Sequence, residues 1–310
     1  MTLLITGGNG MVGNAFKSIG TDAIYLSSKD ADLRKYEETK RVFEKYNPTK
    51  VIHLAAKVGG VKSNSSFIGD FYTDNIYINT NVLKVSHELG VEKVLSLMST
   101  CVYPKREYIS YPLTEEQLHL GEPHETNFGY AYSKRMLDVQ SRAYRNQFGC
   151  NFITAIPNNL YGEHDNFHLE DSHVIPAIMR KMFDAQSNDQ DLVLWGDGKP
   201  LREFTYAQDI AKILMFLLEN YNGESPINIG STNEYSILEV SNIIKELMNF
   251  NQQVIWDTTK PKGQYKKPCS NSKLLELGWD KSDYTCLKKG LKKTYDWFIM
   301  NYPNIRGINV

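Results

Sequence analysis

The chain has 310 residues, enough for one large α/β domain and a smaller lobe. Hydrophobic residues make up 41% and charged residues 23%, the balance of a chain with a buried core. Its 35 basic and 36 acidic residues leave a net charge of −1. No global field therefore exists to hold nucleic acid or an anionic membrane, and an anionic ligand needs a local site.

The opening stretch 1–6 has no basic n-region, and its apolar run ends at glycines. Neither a signal peptide nor a membrane span is expected there. Cys101, Cys150, Cys269 and Cys286 lie far apart with no C-x-x-C, which predicts neither a disulfide framework nor a metal site. Both features point to the cytoplasm, where thiols stay reduced. In chain order, 2–6 reads as a strand, 11–19 as a helix, 23–26 as a strand and 37–46 as a helix. A strand at 51–56, a long helix at 71–89, a strand at 93–98, a long helix at 130–148 and a strand at 152–157 follow. This alternation predicts βαβ units and a parallel sheet, a Rossmann-type doubly wound α/β domain over 1–157. Beyond Pro157 the rhythm changes. The polar stretch 158–171 reads as a loop, 174–185 as a helix, 192–195 as a strand, and 207–221 and 236–249 as helices. A basic loop at 258–271 carries Lys260, Lys262, Lys266 and Lys267. No repeat or low-complexity linker separates the halves. A smaller, interleaved C-terminal substrate-binding lobe is expected over 158–202 and 231–310, with about 203–230 contributing to the first domain.

The turn Thr6-Gly7-Gly8-Asn9-Gly10-Met11-Val12-Gly13 joins the first strand to the first helix. Gly7 permits the bend, Gly10 lets the backbone approach a pyrophosphate, and Gly13 lets the helix pack close to the sheet. The helix N-terminus adds free N–H groups and partial positive charge. Glycines at this spacing also make ordinary turns; the position directly after the first strand marks a dinucleotide site. The end of the second strand selects the nucleotide. NAD enzymes commonly place a carboxylate there, whereas this chain has Ser27-Ser28-Lys29. Ser28 and Lys29, with Asn9 nearby, suit a 2′-phosphate and predict NADPH; Asp30 and Asp32 count the other way.

Tyr130 and Lys134 stand four residues apart on a predicted helix, so both project from one face. An ammonium beside a phenol lowers its pKa from about 10. Tyr132 has no lysine four residues on. Ser99 ends the fourth strand, where open parallel sheets place ligands, and is expected to bond a substrate carbonyl oxygen beside Tyr130. Cys101 has no role in simple ketone reduction. Its place beside Ser99 favours a reactive thiol over a small buried hydrophobe. Pro157, Asn158, Asn159 and Leu160 end the fifth strand and should line a nicotinamide pocket. Lys181, Arg202 and the Lys260–Lys262 loop put cations on the second lobe, and Trp195 offers an apolar surface for a nucleotide.

Along nearly its whole length the chain resembles the extended short-chain dehydrogenase/reductase family, and within it the GDP-4-keto-6-deoxymannose epimerase-reductases. The resemblance rests on the glycine turn, on the stretch from Val51 to Lys57-Val58-Gly59-Gly60, and on Ser99-Thr100-Cys101-Val102-Tyr103-Pro104. It also rests on Tyr130–Lys134, Gly162-Glu163-His164-Asp165-Asn166-Phe167, Ser172-His173-Val174-Ile175-Pro176, Trp195-Gly196 and Arg202-Glu203-Phe204. The turn and the Tyr/Lys pair are superfamily-wide. The cysteine after Ser99, the His173 segment and Lys57–Gly60 are far more specific. The resemblance implies inversion at C3 and C5 of a GDP-sugar, then NADPH-dependent reduction at C4. It implies Cys101 as the base and His173 as the acid, with Ser99, Tyr130 and Lys134 as the reducing set. It adds Ala55, Ala56 and His173 to the cofactor contacts and gives Lys181, Trp195, Arg202 and Lys262 to the GDP-sugar. It also implies a homodimer through the helices at 71–89 and 130–148. His164 and His168 read as loop residues. Some bacterial members carry Arg where this chain has Asn9, which shifts a 2′-phosphate onto Ser28 and Lys29. Two other readings stay open. One is a different nucleotide-sugar enzyme: a 4,6-dehydratase wants Asp-Glu where Cys101-Val102 stands, and a 4-epimerase needs no paired thiol and imidazole. The other is a non-catalytic NADP sensor, which is expected to lose Tyr130 or Lys134.

Overall fold

Apolar residues alternate along the central strands, and that alternation dictates the architecture. Leu4, Val51, Val94, Phe152 and Ile156 fall in one buried cluster, while Leu3, Ile5, Ile52, Leu95, Leu97 and Ile153 fall in another. Successive strand residues point to opposite faces, so a sheet apolar on both faces must be covered on both. The computed structural model describes residues 2–260 and 265–308, the side chains at 61 and 62 excepted. Its first half runs β1 (Leu3–Thr6), α1 (Met11–Ser18), β2 (Ile24–Leu26), α2 (Tyr36–Tyr46), β3 (Lys50–His53), α3 (Val61–Ser66), α4 (Ile68–Glu88), β4 (Lys93–Leu97), α5 (Phe128–Phe148) and β5 (Asn151–Pro157). Its second half runs β6 (Asn159–Tyr161), α6 (Val174–Ser187), β7 (Leu192–Trp195), β8 (Leu201–Tyr206), α7 (Ala207–Asn220), β9 (Ile227–Ile229), β10 (Glu234–Ser236), α8 (Ile237–Leu247), β11 (Val254–Asp257), α9 (Ser272–Glu276) and α10 (Leu287–Asn301).

The main sheet is parallel, in the order β2-β1-β3-β4-β5-β9. Val42 and Phe43 of α2, Val82 and Leu83 of α4 and Leu137 of α5 cover one face. Phe16 of α1 and Ile210, Leu214 and Leu217 of α7 cover the other. The winding reverses between β1 and β3, the switch point at which such sheets hold ligands. A third core joins α6, α8 and α10 through Met179, Ile244 and Phe298. Beside it β8 pairs antiparallel with β10 and parallel with β6, and β7 pairs with β11. The chain leaves the main sheet after β5, returns through α7 and β9, and leaves again. Among the described residues, no helix is long and apolar enough to cross a membrane.

Three differences from the sequence reading have local causes. The third strand ends at His53 rather than at 56, because the Thr6 hydroxyl takes the N–H groups of Leu54 and Ala55 at 3.1 Å each. The polar stretch read as a loop contains β6, whose partner β8 lies some forty residues away. β8, β9, β10, β11 and α10 are additions to the elements read from the sequence.

Candidate active site

Gly7 has φ +71, where L side chains are strained, and a Cβ there would lie 2.9 Å from the Ala55 nitrogen. A Cβ on Gly8 would lie 2.7 Å from Tyr25 Cβ, and one on Gly13 would lie 2.6 Å from the Gly7 oxygen. The turn is therefore pressed flat onto the ends of β2 and β3, with the Gly8 N–H donating to the Leu26 carbonyl at 2.7 Å. Gly10 caps α1 in extended conformation. The amides of Met11, Val12 and Gly13 form the first turn, where no carbonyl four residues back exists within the helix. A backbone cradle at a helix N-terminus fits a pyrophosphate. At the end of β2, the Ser27 N–H and hydroxyl both donate to Asp30, at 2.8 and 2.7 Å, and hold its carboxyl below the usual range. Asp32 is paired with Arg34 at 2.9 Å. Ser28 and Lys29 remain exposed. Lys17, which the sequence reading passed over, donates to Asn9 Oδ1 at 3.0 Å and so adds a cation to this rim.

A buried polar chain crosses the switch point. Thr6 Oγ1 meets His53 Nδ1 at 2.8 Å, His53 Nε2 meets Asn79 Oδ1 at 3.0 Å, and Asn79 Nδ2 donates to the Ser133 carbonyl at 2.9 Å. Burial, then the nearby Lys134 charge, pull the His53 pKa down to about 3, so the ring is neutral. This chain ties β1, β3 and α4 to the turn of α5 that carries Lys134. Sequence reading gave it no role. Its one signal is a histidine inside the apolar run of β3, since a buried polar residue is the informative exception.

Ser99 is extended at the end of β4, and its Oγ accepts the Cys101 N–H at 3.4 Å. Cys101 lies in the short 3-10 turn Thr100–Val102. Burial raises its thiol pKa, against the pull of Lys267, the Ser99 hydrogen bond and Lys134. On α5, the Lys134 Nζ lies 6.0 Å from the centre of the Tyr130 ring and donates to the Leu97 carbonyl at 2.8 Å. Burial lowers Lys134 to about 8, opposed by Cys101. Tyr130 is pushed well above the usual phenol range, by burial first and by Cys101 second. The lowering expected from Lys134 is therefore not seen in the phenol, because burial dominates there. Ser99, Cys101, Tyr130 and Lys134 do converge at the end of β4.

His173 caps α6, with Nδ1 3.9 Å from Asp165 Oδ1; that carboxylate raises its pKa, and burial opposes. Its loop is stitched to the first lobe where the Gly60 N–H donates to Asp171 Oδ1 at 2.7 Å. A Cβ on Gly59 would meet the Phe71 ring at 2.9 Å, which gives the Gly59-Gly60 pair its reason. A cavity of about 220 Å³ brings together Asn159, Val174, Trp195 and Arg202. Lys181 and Lys260 each stand 5.9 Å from the Trp195 ring, and Arg202 Nη1 donates to the Leu201 carbonyl at 2.7 Å. Lys262 lies outside the described residues. Pro157 pairs with Ile229 across β5 and β9. Asn158 is a strut: its Nδ2 donates to Ser231 O at 2.6 Å and its Oδ1 accepts from Thr205 at 2.7 Å. Asn159 donates to the Glu203 carbonyl, and Leu160 is half-buried. His164 packs on Trp297, and His168 Nδ1 accepts two backbone N–H groups of its own loop. A larger cavity, about 500 Å³, opens beside α3 between Ser63, Asn166 and Arg306, and no residue of the Ser99–Lys134 group lines it.

The model of the NAD dependent epimerase/dehydratase family matches residues 3–230. A GDP-L-fucose synthase of Dictyostelium discoideum is 44% identical over 98% of this chain and 97% of its own. One from Sinorhizobium fredii is 40% identical over 96% and 95%. Among solved structures, a GDP-L-fucose synthetase from Naegleria fowleri bound to NADP aligns with TM-score 0.92 and 42% identity, over 98% of this chain and 96% of that one.

Proposed function

Because the chain belongs to the NAD dependent epimerase/dehydratase family, and within it to the GDP-L-fucose synthases, we propose that it converts GDP-4-keto-6-deoxymannose to GDP-L-fucose. It inverts C3 and C5 and reduces C4 with NADPH. One observation carries this reading: a thiol, Cys101, sits beside Ser99 at the end of β4, where Tyr130 and Lys134 of α5 also converge.

The C4 ketone acidifies the C–H bonds at C3 and C5. The Cys101 thiolate takes a proton, and the electron pair moves to the C4 oxygen as an enolate. Ser99 and Tyr130 donate hydrogen bonds to that oxygen where charge develops. His173, whose protonated form Asp165 favours, returns a proton to the opposite face. Each inversion leaves Cys101 protonated and His173 neutral, and exchange with water restores both. NADPH, when bound, supplies the hydride that reduces C4. Burial keeps the Tyr130 phenol protonated, so it can give its proton to the C4 oxygen, and Lys134 stabilises the tyrosinate left behind.

Gly7 to Gly13, Ser28, Lys29, Ala55, Ala56, Lys134, Pro157 to Leu160 and His173 hold the cofactor in this reading. Lys181, Trp195, Arg202 and Lys262 hold the GDP-sugar on the second lobe, with Arg202 binding phosphate in the forked geometry of a guanidinium. Lys29→Glu replaces a charged donor to the 2′-phosphate with a repelling carboxylate. A hydrogen bond to a charged group contributes about 1.5–3 kcal/mol. The ratio of kcat/KM for NADPH over NADH is expected to fall roughly 10- to 100-fold on that scale. An unchanged ratio would remove Lys29 from the site.

Exposed Tyr72, Tyr77, Phe128 and Val139 on α4 and α5 support a homodimer through these helices. Sedimentation is expected to give twice 35.5 kDa; a single-chain mass would refute the pairing. The four cysteines are free, which suits a cytoplasmic enzyme. The activity is tested by adding the ketosugar to protein and NADPH and following NADPH absorbance. Steady loss is expected. No loss would leave a nucleotide-binding protein without this chemistry.

A further inference from the structure

The stretch 258–271, read from sequence as a basic loop, is a clamped strap over its described part. The Leu201 N–H donates to the Tyr265 carbonyl at 2.7 Å, and the Tyr111 hydroxyl donates to the Lys266 carbonyl at 2.8 Å. Leu113 pairs with the strap on both sides, its N–H donating to the Pro268 carbonyl and its carbonyl accepting from Ser270, each at 2.8 Å. The Cys269 N–H lies 3.0 and 3.2 Å from the two carboxylate oxygens of Glu203. Glu203 is 2% exposed, and its pKa is pushed up to about 7 by burial. A carboxylate buried on a backbone amide carries a desolvation cost. Connecting segments normally run over the surface with solvated backbone; this one is fixed at Tyr265 and Lys266 before, and at Pro268, Cys269 and Ser270 after, a single lysine.

That side chain is Lys267. It is half-buried, and its Nζ donates to the Thr100 carbonyl at 2.5 Å. Thr100 stands between Ser99 and Cys101, so a cation is seated on the short turn that carries the thiol. The other groups facing Cys101 are the Ser99 hydroxyl and, from α5, Tyr130, Lys134 and Arg135. Tyr130 is a protonated acid. Lys134 is held on the Leu97 carbonyl, and Arg135 donates to the carbonyls of Val102 and Gly121 at 2.6 and 2.8 Å. Lys267 acts on the thiol more strongly than Ser99 or Lys134.

We propose that Lys267 is a positioning residue for the epimerising half of the reaction: the Glu203-clamped strap delivers its ammonium to the Cys101 turn, where it holds the thiolate that removes the sugar protons. This rests on the reading of Cys101 as the base. A neighbouring ammonium favours thiolate over thiol. In the step it supports, a C–H bond breaks, an S–H bond forms and the electron pair passes to the C4 oxygen, while Lys267 stays protonated. The two lysines then divide the work, Lys134 with Tyr130 in reduction and Lys267 with Cys101 in proton removal.

The test is the pH dependence of Cys101 alkylation by iodoacetamide in the full-length protein with NADPH bound, the modified peptide being identified by mass spectrometry. In Lys267→Met the midpoint is expected to rise by at least about one pH unit, a tenfold loss of thiolate below the midpoint. Deuterium exchange at C3 and C5 of the ketosugar at neutral pH is expected to fall by a similar factor. Lys267→Arg, which keeps the charge, is expected to retain the wild-type midpoint. An unchanged midpoint in Lys267→Met, with a raised KM for the ketosugar, would overturn the proposal and make Lys267 a contact of the substrate. Wild-type exchange in Cys101→Ser would instead overturn Cys101 as the base, even if Lys267→Met moves the midpoint.

Discussion

Replacing Tyr130 with Phe is expected to lower the rate of NADPH oxidation by about 10²- to 10⁴-fold, the range contributed by a positioned general acid. The change removes only the hydroxyl. The ring keeps its edge-on contact with Phe71, 6.5 Å between centres, so the fold and the pocket shape survive. Ser99 remains to bond the enolate oxygen, and Cys101 and His173 are untouched. Proton exchange at C3 and C5 should therefore continue at a rate within reach of wild type. Stopped NADPH oxidation with continuing exchange assigns Tyr130 to the reduction alone. Oxidation within tenfold of wild type would mean that another group protonates C4.

The converse result is expected of Cys101→Ser and His173→Gln. Each removes one of two proton carriers, and each should slow exchange at C3 and C5 in deuterated water by about 10²- to 10⁴-fold. Serine is too weak an acid to supply an alkoxide near neutrality, and glutamine carries no transferable proton. The pH dependence has a fixed sign. His173 is an acid only below its pKa, which Asp165 raises above the ordinary imidazole value, so exchange falls as pH climbs through it. Cys101 is a base only above its pKa, which burial raises, so exchange grows as pH climbs through that one. Both limbs belong to the pair rather than to either residue. In Cys101→Ser, slow NADPH oxidation should still yield a sugar reduced at C4 with its protons at C3 and C5 in place. Wild-type exchange in either variant would remove that residue from the proton transfers.

The parts legible in the sequence are those whose signal is local. The glycine turn announces itself because three of its positions admit no side chain, each packed against backbone or Cβ atoms at 2.6–2.9 Å. Tyr130 and Lys134 are legible because four residues make about one turn of helix. The strands β3, β4 and β5 are buried and mostly apolar. What stayed hidden depends on partners distant in the chain. β6 is three residues inside an Asn- and His-rich stretch, and only β8 makes it a strand. The strap at 265–270 takes its shape from Leu113, Leu201 and Glu203, so Lys267 looked like one lysine among four. Thr6 and Asn79 carry no signal of their own, and His53 only that of a polar residue in an apolar run; register between β1 and β3 sets Thr6 beside His53. The Tyr130 phenol departs from the sequence reading because spacing gives its adjacency to Lys134 but not its burial, and burial dominates.

The central claim is that one site both inverts C3 and C5 and reduces C4. It is tested most directly by running the reaction with GDP-4-keto-6-deoxymannose and NADPH in deuterated water and identifying the product by NMR. The account predicts GDP-L-fucose with deuterium at C3 and C5 and one equivalent of NADPH consumed. A product reduced at C4 that retains both original protons and both original configurations would contradict it.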